Sequence, residues 1–407
     1  MKSHNTRDDP ATLKNQFLKY ICQTSNDPIG LIIDHAHGSY IYTKDKKKYL
    51  DFISGIAVAS IGHTHPAVVK AICRQAKQYL HVMVYGEYIQ EPQVNLAAKI
   101  TALLPDSLSS VYFTNSGTEA VEGALKLAKK FTGRERLIGF QNSYHGDSHG
   151  SLSVTGRDVY RKPFYPLLPH VAFLPFNVTK SLMKIDQTVA AVIIEPIQGE
   201  GGMIIPDRPF LQAVRARCRE VGALLILDEA QTGLGRTGKL FAMEHFKIVP
   251  DILVLAKSLG GGMPLGAFIG SPAIMKSLSN NPPLSHVTTF GGHPVSCAAG
   301  LASLNIVLKK KLVQRAKNMG ATLLTSLSKL ARQFPVIRAA RGLGLMIGLE
   351  FKAAAPCMQF VQRARDHGLL LGWTLHTNRV ARIAPPFTLS DKELKEGLAI
   401  MKRVLAE

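Results

Sequence analysis

The 407-residue chain is 46% hydrophobic and carries 49 Lys and Arg against 29 Asp and Glu, a formal net charge of +20. A chain of this length buries a sizeable core and divides into two or more domains, and no run reaches the roughly 18 apolar residues of a membrane span. The basic residues lie in short scattered groups, such as 44–48 and 309–311, without interleaved base-stacking aromatics. They read as a solvated basic surface that also suits small anionic ligands; a basic nucleic-acid-binding protein, suggested by charge alone, is the second class of reading, with no nucleic-acid motif behind it.

The opening "MKSHNTRDDPATLKNQF" is polar and lacks the apolar segment of a signal peptide, which places the protein in the cytoplasm. Cys22, Cys73, Cys218, Cys297 and Cys357 form no C-x-x-C pair and read as free thiols. The alternating stretch "LIIDHAHGSYIYTKDKKKYLDF" predicts a β-meander with a turn at 44–47. A helical pattern follows over 66–80.

Helices then alternate with "SVYFT", "RLIGF", "HVAFL", "AAVIIE", "ALLILDE", "DILVLAK" and "LGAFIG". These runs are continuous rather than alternating, as strands buried on both faces require, so a doubly wound, mostly parallel α/β domain is expected. After about residue 296 helices return, followed by "GLGLMIGLEF" and "RVARIAPPF" as strands. In the last helix Ser390 and Glu393 form a capping box, and Leu394, Leu398, Met401 and Leu405 form an apolar face. The predicted division is a large domain over 63–299, with a smaller α+β domain built from 1–62 and 300–407.

Ligands bind beyond the carboxyl ends of the strands in such sheets. Several apolar runs end there in ionisable residues: Glu195 after "AAVII", Asp228 and Glu229 after "LLIL", Lys257 after "ILVLA". "SVYFT" runs into "NSGTEA", a helix start whose N–H groups and hydroxyls at Ser116, Gly117 and Thr118 suit an anion. A lysine at a strand end is either a snorkelling surface residue or a desolvated nucleophile fit for a Schiff base. With Asp228 and the anion seat on one rim, the set matches the aldehyde, ring nitrogen and phosphate of pyridoxal phosphate.

The ordered motifs "SGIAVASIGHTHP", "NSGTEA", "YHG", "IIEPIQGEGG", "LLILDEAQTGLGRTG", "DILVLAKSLGGGMPLGA", "TTFGGHP" and "RIAPPF" resemble those of the class III pyridoxal-phosphate aminotransferases of fold type I. The resemblance runs from about residue 28 to the end. It implies an enzyme that moves an amino group from an amino acid or ω-amine donor, of the ornithine, acetylornithine or 4-aminobutyrate kind, to a 2-oxo acid such as 2-oxoglutarate. Lys257 would carry the cofactor as a Schiff base and shuttle a proton, Asp228 would pair with the ring nitrogen, and Glu195 would lie close to the cofactor. Gln231 would bond near the ring hydroxyl. Tyr144 would stack on one ring face and Ala230 on the other, with His145 in contact. The resemblance further implies a homodimer in which Thr289 completes the partner's phosphate site. Arg382 would grip a substrate carboxylate, Glu200 would mask that arginine, and Ile56 would line the pocket.

Asp147 stands where many relatives have arginine; it reads either as a determinant favouring cationic or neutral amines or as a loop cap. Aminomutation and decarboxylating transamination are the alternative chemistries on this scaffold. A P-loop at 233–240 is excluded because Leu240 occupies the Ser/Thr position. His63, His65, His145 and His149 lack the further ligands of a metal site.

Overall fold

The computed structural model describes residues 10–407; the reading of the extreme N-terminus lies largely outside them. The predicted meander is β1 (Ile33–His37), β2 (Tyr40–Thr43) and β3 (Lys48–Asp51), paired antiparallel in sequence. Its tight turn closes with Lys46 N donating to the Thr43 carbonyl.

The continuous apolar runs form one seven-stranded sheet. Its strands are β4 (Ser110–Thr114), β5 (Arg136–Phe140), β6 (Val171–Leu174), β7 (Val189–Ile194), β8 (Leu224–Asp228), β9 (Ile252–Leu255) and β10 (Gly266–Gly270). Their order is β4-β10-β9-β8-β7-β5-β6, parallel except for β10, which runs against both β4 and β9. Every residue of β7, β8 and β9 is buried, which is why these segments show no alternation.

The helix Gly117–Thr132 follows β4 directly. Ser116 caps it by accepting from Glu119 N, and Gly133 ends it in a left-handed conformation at φ 66°. Its Ala120, Val121, Ala124, Leu127 and Ala128 face the sheet. Gly123 permits the approach, since a Cβ there would lie 2.2 Å from a ring carbon of Phe268. Helix and sheet are therefore locked at a fixed spacing.

The C-terminal part adds β11 (Ile337–Leu343), β12 (Met346–Phe351), β13 (Leu369–Leu370), β14 (Gly372–Trp373) and β15 (Val380–Ile383). "GLGLMIGLEF" is not one strand: it straddles the β11–β12 hairpin, whose turn uses Gly344 at φ 55°. "RVARIAPPF" is a strand only as far as Ile383, where the following prolines end the ladder. β13 joins the N-terminal meander by pairing parallel with β3, so both chain ends share one sheet. The last helix, Asp391–Ala406, carries the predicted capping box and buries Leu394, Gly397, Met401 and Val404, with Leu398 and Leu405 partly covered at the edge. Leu50 and Phe52 share a core with Leu349, Phe387 and Met401.

The 233–240 segment braces the two parts. Arg236 is buried there, donates to the Leu345 and Pro385 carbonyls and to Ser60 Oγ, and lies over the Phe387 ring. Burial pulls its guanidinium down to about 9. The cysteines are free, and no helix among the described residues is long and apolar enough to cross a membrane.

Candidate active site

β4, β7, β8 and β9 point the same way, so their carboxyl ends meet along one rim. A cleft of about 440 Å³ opens there, and its lining contains residues delivered by each of those strands.

Lys257 is the second residue beyond β9 and holds a left-handed backbone at φ 51°, uncommon for a side chain of this size. It is half-buried as a residue. Desolvation pulls its amine below the ordinary lysine value, against Asp228 and Glu200, which pull it up. Among the described residues its amine has no ion-pair partner.

Asp228 closes β8, is 5% exposed, and has both oxygens engaged. Ala230 N donates to Oδ1 at 3.0 Å, and His145 Nδ1 meets Oδ2 at 2.7 Å. His145 is buried beside it, and its Nε2 has no partner among the described residues. Gln231 lines the same cleft with Oε1 buried and unpartnered. A side chain at Gly199 would press to 2.3 Å on that oxygen, so glycine leaves Gln231 its place.

The anion seat is the start of Gly117–Thr132. Ser116 Oγ serves the third N–H of the helix, leaving the N–H groups of Gly117 and Thr118 without intrahelical acceptors. Two acids that carried no predicted role hold this end together. Glu119 Oε2 accepts from Asn115 N and Nδ2, both at 2.8 Å. Glu122 Oε1 accepts from Gly150 N and Ser151 N. The Thr118 hydroxyl is shared with Ser148 Oγ and Ser151 Oγ at 2.7 and 2.6 Å. The three-residue spacing of the acids was the available signal, but it does not say which loop they reach.

Glu195 follows β7, accepts from Tyr144 N and Gly199 N at 3.0 Å each, and so fixes two walls of the cleft. Burial pushes its carboxyl up to about 7. Tyr144 donates its hydroxyl to Asp147 Oδ2 at 2.7 Å; burial, then this bond, raise the phenol well above its usual value. Glu200 also lines the cleft and pairs with Arg382, both nearly fully buried. Its second oxygen accepts from Leu375 N at 2.8 Å. Arg382 is therefore reached from the cleft only past Glu200.

Two predicted residues lie elsewhere. Thr289 is exposed in the segment before the helix Pro294–Lys309, outside the lining. Ile56 is 49% exposed within the turn Ser54–Ala57, whose residues all have φ between 51° and 63°. That left-handed turn is held by Asp51, which accepts from Ile53 N and Ser54 N and pairs with His63. It presents Val58 to the cleft instead. His65 caps the helix Pro66–Gln78 by accepting from Ala67 N, and His63 Nε2 is engaged by Asp51.

The donor set fits a phosphorylated pyridine aldehyde: free helix N–H groups for the ester, a held carboxylate for the ring nitrogen, a desolvated amine for the aldehyde, and two buried orphan atoms, His145 Nε2 and Gln231 Oε1, facing the same space.

A family model described as aminotransferase class III matches residues 21–405. The chain is 44% identical over 375 residues to the putrescine aminotransferase of Pectobacterium atrosepticum, covering 88% of this chain and 79% of that one. It is 40% identical over 389 residues to the acetylornithine aminotransferase of Methanosarcina mazei, covering 95% and 94%. The solved ornithine aminotransferase of Toxoplasma gondii, with pyridoxal 5′-phosphate at partial occupancy in its active site, superposes with a TM-score of 0.91 at 30% identity, covering 98% of this chain and 94% of that one.

Proposed function

This chain belongs to the class III aminotransferases, and on that footing we propose that it transfers the terminal amino group of a cationic amine of the putrescine or ornithine kind to a 2-oxo dicarboxylic acid, 2-oxoglutarate above all. Its cofactor is pyridoxal 5′-phosphate, which when bound supplies an aldehyde to take up the donor amine and a ring that withdraws electron density from the neighbouring carbon. The observation that carries the reading is that Lys257, Asp228 and the 116–118 helix start line a single cleft.

Each residue then has a physical task. Gly117 and Thr118 N–H, with Ser116 at the cap, would hold the phosphate at the positive end of the helix. Asp228, oriented by His145 and Ala230 N, would keep the ring nitrogen protonated. Gln231 would bond the ring hydroxyl through its unpartnered oxygen, and Tyr144 and Ala230 would cover the ring faces. Lys257 would hold the aldehyde at rest; once displaced, its desolvated amine can take a proton from the substrate carbon and return it. Arg382 would receive the acceptor's α-carboxylate after Glu200 withdraws. Thr289 and Ile56, outside this chain's own cleft, fit a homodimer in which each serves the partner. We assign residues 63–299 to the cofactor domain and the chain ends to the smaller one, and the reaction to the cytoplasm.

Asp147 supports a cationic donor. Asp228, Glu195 and Glu200 each have both oxygens bonded within the protein. Asp147 lies exposed at the mouth with a single bond, from Tyr144. Asp147→Asn is expected to raise KM for a linear diamine about five- to tenfold with kcat nearly unchanged, and to leave a monoamine of the same length unaffected. Initial rates with the two donors check this. Equal changes for both would return Asp147 to a loop role.

Arg382→Ala is expected to lower kcat/KM for the oxo acid by about 100-fold or more, and the amine half-reaction by less than about fivefold. The variant strands Glu200, at a cost of about 3–5 kcal/mol in stability, so thermal melting of the holoenzyme belongs beside the kinetics. Equal losses in both half-reactions would remove Arg382 from acceptor recognition. The function as a whole is tested by a donor panel of diamines, ornithine, acetylornithine and 4-aminobutyrate with 2-oxoglutarate, following glutamate and carbon dioxide. No glutamate from any donor would overturn it.

A further inference from the structure

The hairpin that carries Arg382 also holds the carboxylate covering it. Residues 374–378 turn the chain from β14 into β15, and Glu200 meets this hairpin at three atoms. Arg382 Nη2 pairs with Oε1, Leu375 N donates to Oε2 at 2.8 Å, and His376 N donates to the Glu200 carbonyl at 3.2 Å.

The turn is itself pinned from the other side. The His376 ring is 3% exposed, and its Nδ1 lies 3.0 Å from the Asn142 carbonyl, just beyond β5. It stacks on Tyr160 with centroids 5.2 Å apart and meets Tyr144 edge-on at 6.2 Å. The Tyr160 hydroxyl donates to the Leu375 carbonyl at 2.7 Å. A carbonyl only accepts, so the ring proton belongs on Nδ1, and Nε2 stays buried without a partner. Neither His376 nor Tyr160 lines the cleft, and none of the tasks assigned above uses them.

Leu375 N can hold Glu200 over Arg382 only while the turn stays where it is. We propose that His376 and Tyr160 are positioning residues that pin the 374–378 turn, so that the resting enzyme keeps Arg382 masked and its cleft suited to the amine rather than the oxo acid. This rests on the masking role given to Glu200. Loosening the pin weakens one of the bonds on Glu200, makes Arg382 easier to expose, and shifts the two substrates in opposite directions. General damage to the site would instead weaken both.

The test uses the holoenzyme with glutarate, an unreactive dicarboxylate, titrated by cofactor absorbance, and diamine kinetics alongside. His376→Ala and Tyr160→Phe are each expected to tighten glutarate about three- to tenfold and to raise the diamine KM by a similar factor, with kcat changed less than about twofold. In a Glu200→Gln background neither should alter glutarate binding further. Tyr160→Phe removes one hydroxyl from a partly exposed ring, so it carries the test if His376→Ala does not fold. Unchanged or weakened glutarate binding in Tyr160→Phe overturns the proposal. If Glu200→Gln alone fails to tighten glutarate, the masking reading falls; if it tightens glutarate and the pin variants do not, only the pin falls.

Discussion

Lys257→Ala is expected to reduce turnover by about four orders of magnitude or more while the protein still takes up pyridoxal 5′-phosphate. Among the described residues the lysine is the one amine lining the cleft and takes part in no ion pair, so its removal costs little folding energy. The left-handed backbone at φ 51° aims it from the loop after β9, and among the described residues no other lysine lines the cleft to replace it. The 116–118 helix start, proposed to hold the phosphate, and Asp228 are untouched, so binding should persist without covalent attachment. Borohydride treatment followed by peptide mass analysis decides the point. The wild type should carry the cofactor's mass on the Lys257 peptide and the variant on none. Attachment at another lysine would end the assignment.

Asp228 gives the second large effect. Asp228→Asn keeps the shape of a side chain bonded by Ala230 N and His145, but it lacks the charge proposed to hold a proton on the ring nitrogen. Turnover is expected to fall about 1,000-fold, and the rate of substrate carbon deprotonation with it. Asp228→Ala should do the same and also lower stability by about 1–3 kcal/mol, because His145 Nδ1 and Ala230 N lose their acceptor in a buried place. Single-turnover rates with a deuterated donor, read beside thermal melts, separate the two consequences. An unchanged turnover number in Asp228→Asn would remove the residue from the chemistry.

The positions of these groups could be read from the chain because each sits where an apolar strand stops, and a buried parallel strand announces itself by composition alone. Strand direction did not follow from that signal: β10 is as apolar as its neighbours and runs opposite to them. β11 was missed because "IRAARGL" is mostly part-exposed and shows neither alternation nor a continuous apolar run. The Ser54–Ala57 turn was equally hidden, since nothing local predicts an isoleucine at φ 62°. Its conformation is imposed by Asp51 and His63 from flanking positions. The burial of His376 depends on contacts with residues more than 200 positions away, which no periodicity encodes. Glu200 and Arg382 were paired from resemblance; their contact spans 182 positions and has no local signature.

The sheet shared by the two chain ends bears on how the protein is made. β3 acquires its outer neighbour only when Leu369 and Leu370 arrive, long after β3 itself has been made. Until that segment has emerged from the ribosome, the meander presents a bare ladder of amide and carbonyl groups beside the apolar Leu50 and Phe52. A nascent polypeptide stalled or truncated before residue 369 therefore offers that ladder to other strands, and chaperone capture during translation should concentrate on it.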